Sequence, residues 1–346
     1  MAYTGTTLAT FSAALTKLFE DKIITQVNRA VVGAQLLEVI EGRGQNVQWP
    51  ARVGTQTGYV LADGADVTDY HSDTKVPAVL QYGTYVESLA VSDKAIAAAR
   101  ASTNPTEMLD LLAEETMEAV PRLARKIGAD FYSGTGAADT ILGLVHTAGG
   151  NPAGALQATG VYAGIDRAVY PQWASNVVHN GGVARPLTTL LMRDTEREIY
   201  VASGMNPDLI LCDPYQHEQY GLLLGPSRRY LQEVTLRGQK ITLDGGYKAL
   251  DFDGTPVIRD AACPAGTMLF MCTEHCRLYQ LKTPEATLPV AGTPEAQFGA
   301  GRTRLSTRIK ALAPTGAHIK LMMDCWVQLQ IRRPNCCGQL KDLATS

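Results

Sequence analysis

The residues best equipped for chemistry lie in two cysteine-bearing stretches toward the C-terminal end. Cys272-Thr-Glu-His275-Cys276 offers thiols beside an imidazole, and Cys336-Cys337 adds an adjacent pair. Thiolate and imidazole are the donors that zinc prefers, in sets of four. An extended strand, however, puts Cys272 and Cys276 on one face and His275 on the other. The expectation is therefore ordinary core thiols, with no metal and no cofactor. The cysteines number seven, an odd set in a chain long enough to build a core, which fits reduced thiols better than a disulfide framework.

Catalytic patterns are not signalled. There is no Gly-x-x-x-x-Gly-Lys-Ser/Thr phosphate loop, and Gly134-Thr-Gly136 lacks a third glycine and follows a helical pattern rather than a strand. His217-Glu218 lacks the second histidine of a zinc-protease helix, and no serine sits in a nucleophile elbow. The six histidines are scattered. The expected class is a non-enzyme with no catalytic residues.

Charge is the other available chemistry. Asp63, Asp66, Asp69 and Asp73 punctuate a polar stretch in which only His71 and Lys75 have the opposite tendency. Arg302, Arg304, Arg308 and Lys310 alternate along what reads as one strand with a basic face. Arg122, Arg125 and Lys126 cluster on a helical segment. In an isolated chain the acidic stretch reads as a solvated loop and the basic strand as an edge kept soluble by charge. A net charge of -3 with 45% hydrophobic and 19% charged residues argues against a dedicated nucleic-acid binder. No apolar run approaches the ~20 residues of a membrane helix, and no signal peptide is visible, so no membrane partner is expected.

These residues must be positioned by a mixed set of elements. Ala13 to Ile40 has broken helical spacing and reads as an arm or short helices, punctuated by Gly42 and Gly44. Val47 and Trp49 open a strand, and Val76, Ala78, Leu80, Tyr82, Thr84 and Val86 alternate along the next. The Gly-, Thr- and Asp-rich run between them makes this a long projecting hairpin. A two-stranded ribbon is marginal in water, so something outside the chain should support it. Finding residues 45–75 folded back on their own core would contradict that expectation.

Asn104-Pro-Thr-Glu107 opens the strongest helix, with a good N-cap, proline at N1 and glutamate at N3. Met108, Leu112, Ala119, Leu123, Ile127 and Phe131 keep its spacing, and Pro121 should bend it. Further helices are expected at 187–203, ended by Gly204, and at 215–224 after Pro214. Asp208–Cys212 reads as a buried strand, Asp253-Gly254 as a hairpin turn, and Thr267–Leu281 as further strand. Ile319, Leu321, Met323, Cys325, Val327, Leu329 and Ile331 alternate with polar residues in a long, half-buried strand.

The order of these parts resembles the major capsid proteins of tailed bacteriophages, the Hong Kong 97-like fold, over nearly the whole chain. Local stretches are similar too: Ile141-Leu-Gly-Leu144, Tyr162-Ala-Gly-Ile-Asp166-Arg167 with Tyr170-Pro-Gln-Trp173, and Asn206-Pro-Asp-Leu-Ile210. The resemblance implies an α+β fold divided into an N-terminal arm (1–44), an E-loop hairpin (45–75), a P-domain strand and spine helix (76–140), an A domain (141–300), and closing P-domain strands with a C-terminal tail (301–346). It implies a shell of hexamers and pentamers around double-stranded phage DNA, held without sequence preference. Portal, scaffolding and decoration proteins would be partners, in a virion capsid built in the host bacterial cytoplasm. An encapsulin-type nanocompartment is the alternative.

The resemblance also implies a separate scaffolding protein, or none, and no cleavage of so short an arm. Some relatives cross-link through an E-loop lysine; none stands between Arg52 and Thr74, so no cross-link is expected there. The candidate inter-subunit contacts are Asp63, Asp66 and Asp69 of one subunit against Arg302, Arg304 and Arg308, or Arg122, Arg125 and Lys126, of the next.

Overall fold

The computed structural model describes residues 36–54, 75–92, 111–137, 139–148, 151–225, 230–231, 233–236, 239–242, 249–281, 296–298, 303–305, 308–311 and 318–345, with isolated positions 33, 60, 63 and 94. Four strands come first: β1 (Glu38–Gly42), β2 (Asn46–Arg52), β3 (Lys75–Gln81) and β4 (Gly83–Ser92). Helix α1 (Leu111–Ser133) follows and continues through Pro121 without a break in its helical assignment. The N-cap expected at Asn104 lies outside the described residues. Next come β5 (Asn176–Val178), α2 (Thr189–Ser203), β6 (Leu209–Cys212) and α3 (Pro214–Leu224). The hairpin of β7 (Ala249–Phe252) and β8 (Thr255–Arg259) precedes β9 (Met268–Met271) and β10 (Cys276–Leu281). The chain closes with β11 (Arg308–Ala311), β12 (His318–Ile331) and β13 (Gly338–Leu340).

Two sheets carry the architecture. In the first, β12 is central: β4 runs antiparallel along one edge, β10 and β11 share the other, and β1 adds in parallel outside β10. Part of the expected arm is therefore a sheet strand. Strand β12 was expected to be half buried, but from Met323 to Ile331 it is buried on both faces except at Trp326. Gln328 there has a structural role. The Gln328 amide donates to the Gln81 carbonyl at 2.7 Å, and its oxygen accepts from the Leu142 N–H at 3.3 Å. A buried amide needs such partners, since an unmet one costs about 1–3 kcal/mol.

The expected single alternation from Val76 to Val86 does not hold. Ala78, Leu80 and Tyr82 point inward, but Gly83 is buried too, and thereafter Tyr85 and Leu89 are the buried residues while Thr84 and Val86 are exposed. The phase slips by one residue where β3 ends and β4 begins. A side chain at Gly83 would put its Cβ 2.8 Å from the Ile141 backbone nitrogen, so only glycine lets the strand pass this close to the 139–141 segment.

The second sheet runs Tyr230–Leu231, β7, β8, β6, β9, β13, β5. Its central strands β6 and β9 are apolar throughout because both of their faces are covered. Leu209 and Leu211 of β6 face the larger core, with Ile127 and Phe131 of α1, while Ile210 and Cys212 face Met192 and Ile199 of α2 and Tyr220 of α3. Helices α2 and α3 begin and end within two residues of the expected positions. The Thr188 hydroxyl caps α2 by accepting from the Leu191 N–H, and Gly204 ends it at φ 72. The Asp213 carboxylate caps α3 at the Gln216 N–H, 2.7 Å away. The Asp253-Gly254 turn has φ 47 and 88, as a tight hairpin requires.

The pairing crosses the division expected at residue 300. Strand β10 lies in the first sheet beside β12, whereas β13 joins the second sheet beside β9. The expected continuous strand over Thr267–Leu281 is thus two strands in different sheets, parted by a 3-10 turn at Thr273–His275. The chain crosses between the sheets at 272–276 and again at 332–337. Among the described residues, no helix is long and apolar enough to cross a membrane.

Candidate assembly surfaces and the support of the hairpin

Strands β2 and β3 pair antiparallel from Asn46↔Gln81 to Arg52↔Lys75. Alternate residues of β2 face inward: Val47, Trp49 and Ala51 are buried, as is Val53 just beyond. The base of this ribbon is not unsupported. The Trp49 ring lies 6.4 Å from that of Trp173, and the Val79 N–H donates to the Ala163 carbonyl at 2.9 Å. The expectation that the whole of 45–75 lacks support from its own chain is corrected at its base. Most of the segment between Gly54 and Lys75 lies outside the described residues; Val60 there is 98% exposed.

The platform under the ribbon is the stretch from Gly154 to Trp173. Ala163 and Gly164, at φ 52 and 80, turn a small hairpin that aims Tyr162 inward. The Tyr162 hydroxyl accepts from the Ile331 N–H at 2.9 Å, which ties the platform to the end of β12. Burial pushes that phenol well above its ordinary pKa, so it remains a neutral hydroxyl. Arg167 is the hub. Its guanidinium is buried, lies 5.5 Å from the Tyr162 ring centre, and donates to the carbonyls of Thr159, Gly154 and Ala155 at 2.9–3.1 Å. Burial lowers its pKa to about 10, which still leaves it charged at neutral pH. The sequence marked this stretch only by resemblance; its physical content is a five-donor fork closing one loop on itself.

The charged residues expected at contacts divide into three groups. Asp63 is exposed, while Asp66, Asp69 and Arg302 lie outside the described residues. Arg122 and Lys126 have partners within their own chain. The Arg122 Nε donates to Glu87 on β4 at 2.8 Å, and the Lys126 ammonium to Asp130 one turn on at 3.0 Å. Arg125 is half-buried. Arg304 and Arg308, expected on one strand, lie on two: Arg304 on Thr303–Leu305 opposite Gln297, and Arg308 on β11 opposite Asp324. The single basic face is therefore split between two sheets.

Sequence reading missed an apolar surface. Leu190 and Val201 are 67% and 79% exposed and stand eleven residues apart on α2, which returns them to nearly the same helix face. Tyr200 beside them, and Leu222 and Leu223 at the end of α3, are also exposed. Helical spacing alone could have separated these from Met192 and Ile199, which face the core.

Among the described residues, the thiols are the one place where metal-type donor atoms converge. Cys272, His275 and Cys336 offer ligand atoms all within 4.8 Å of one another. The Cys337 sulfur lies 3.9 Å from those of Cys336 and Cys276 and accepts the Cys272 N–H at 3.4 Å. The assumption that strand alternation parts His275 from Cys272 fails, because the 3-10 turn replaces the strand at this point.

A family profile described as SU10 major capsid protein matches residues 62–344. No curated protein sequence matches the chain. Among solved structures, a chain of the cyanophage A-1(L) capsid asymmetric unit superposes with TM-score 0.70 at 19% identity, covering 95% of this chain and 98% of that one. The capsid of an empty GTA particle gives 0.61 at 12% identity, covering 94% of each chain. The holo-SrpI encapsulin complex from Synechococcus elongatus PCC 7942 gives 0.59 at 11% identity, covering 97% and 96%. At these identities the likeness is one of fold, and the fold is Hong Kong 97-like.

Proposed function

Because this chain belongs to the SU10 major capsid protein family and is a capsid subunit that self-associates into the shell of a phage particle, we propose that it builds that shell from hexamers and pentamers closed around double-stranded DNA. The observation that carries the reading is the extent of the family match, 62–344, which runs from the second strand of the hairpin through α1 and nearly all of both sheets rather than one portable motif. Packaged DNA would be enclosed without tight binding, since neutralising phosphates needs clustered cations and the net charge is -3. Portal, scaffolding and decoration proteins are the further partners of this reading, and assembly would take place in the host bacterial cytoplasm. No catalytic step is assigned to it.

In this reading the ribbon's base is fixed by its own platform, and its acidic far end, with Asp63, reaches a neighbouring subunit. The basic residues it meets there are Arg302, Arg304 and Arg308 more readily than Arg122 and Lys126, which bond their own carboxylates. Such pairs contribute about 0–1 kcal/mol each and set register more than strength. The exposed apolar side chains of α2 and α3 supply a second contact, where burial is worth about 25 cal/mol per Å².

Electron microscopy of the overexpressed, purified protein tests this directly. Closed shells, tubes or capsomer sheets are the expected result. A dispersed 37.2 kDa monomer at every concentration and ionic strength would refute it.

A further inference from the structure

We propose that Cys272, His275, Cys336 and Cys337 bind one Zn2+ ion, which staples together the two crossovers between the sheets. The donor set is the first argument. Three sulfurs and an imidazole form a Cys3His complement, one of the closed tetrahedral sets that structural zinc takes. Spacing is the second. With Zn–S bonds near 2.3 Å, tetrahedral sulfurs stand about 3.8 Å apart, and the Cys336 and Cys337 sulfurs are 3.9 Å apart. The Cys272, His275 and Cys336 donors lie within 4.8 Å of each other, close enough to be drawn onto one ion by side-chain rotation.

The surroundings fit a bound cation. The Cys272 N–H points at the Cys337 sulfur, the kind of backbone donor that steadies a thiolate. Asp208 fixes the 3-10 turn that presents His275, accepting from the Thr273 N–H at 2.7 Å and from its hydroxyl. The cysteines are buried while His275 is half-buried, so an ion can enter past the imidazole.

The position gives the ion a task. Residues 272–276 carry the chain from β9 to β10, and 332–337 carry it from β12 to β13, so each segment passes from one sheet to the other. The Arg332 N–H to His275 carbonyl bond already joins the two crossovers at 2.9 Å. One ion held from both would lock the angle between the sheets.

The test is zinc content of the full-length protein, purified without chelator from zinc-replete cells, read by mass spectrometry and by release on titration with a mercurial. Whether or not shells form, the expected result is about one zinc per chain, falling at least about tenfold in Cys336→Ser and His275→Ala and unchanged in Cys325→Ser. Should those variants fail to fold, wild-type protein refolded with Co2+ replaces them; it should give thiolate charge-transfer bands and the intense visible bands of tetrahedral cobalt. Wild-type protein without zinc and without cobalt bands would overturn the proposal. So would zinc retained in the Cys336 variant, or a Cys272–Cys336 disulfide in the native protein.

Discussion

Arg167 is buried without a carboxylate partner among the described residues, and it compensates with backbone carbonyls on three sides. A charge placed this way needs all its donors, and only a planar fork supplies them at these angles. Arg167→Lys keeps the charge and loses the fork. It should destabilise the chain by about 2–4 kcal/mol, read as a lower denaturation midpoint, while Arg193→Lys on the exposed face of α2 should change stability by under about 0.5 kcal/mol. An Arg167→Lys variant as stable as the wild type would mean that the platform is held by packing alone. At this scale little of the site was legible beforehand. Composition and spacing mark Arg167 as one charged residue among many, because its role depends on carbonyls from a loop that turns back only once Ala163 and Gly164 adopt positive φ. The thiol cluster was hidden for a related reason. Its halves lie more than sixty residues apart, and the turn that unites them interrupts an otherwise convincing strand pattern.

Among the elements, Gly83 carries the clearest prediction. Gly83→Val should cost about 3 kcal/mol, because its Cβ would meet backbone at Ile141 and Asp139 rather than a side chain that can swing aside. Thr84→Val next door, on an exposed β position, should be nearly neutral, and thermal denaturation compares the two. Equal melting temperatures would remove the close approach as the cause of the phase slip. The elements were largely legible. The terminating Gly204 and the Asp253-Gly254 turn are local chemistry, and each appears where its residues stand, while the caps at Thr188 and Asp213 were not singled out beforehand. Alternation failed where a tertiary contact overrode it: at Gly83, at the 272–276 crossover, and along β12, whose polar residues are buried by neighbours on both faces. Strand β1 was missed because its partner, β10, lies far along the chain.

On the scale of the whole molecule, the two sheets share a core and the ribbon is anchored at its base by Trp49, Trp173 and the Ala163 carbonyl. The proposed assembly needs such an anchor, since each subunit must find the same spot on its neighbours. In the proposed shell, many modest contacts would act together in a closed lattice. Cryo-electron microscopy of the assembled particle, at a resolution that traces the chain, tests this account most directly. The ribbon between Val53 and Lys75 should lie across an adjacent subunit, with Asp63 within ion-pair distance of a basic residue there. A map in which that ribbon folds back over its own α1, touching no other chain, would contradict it.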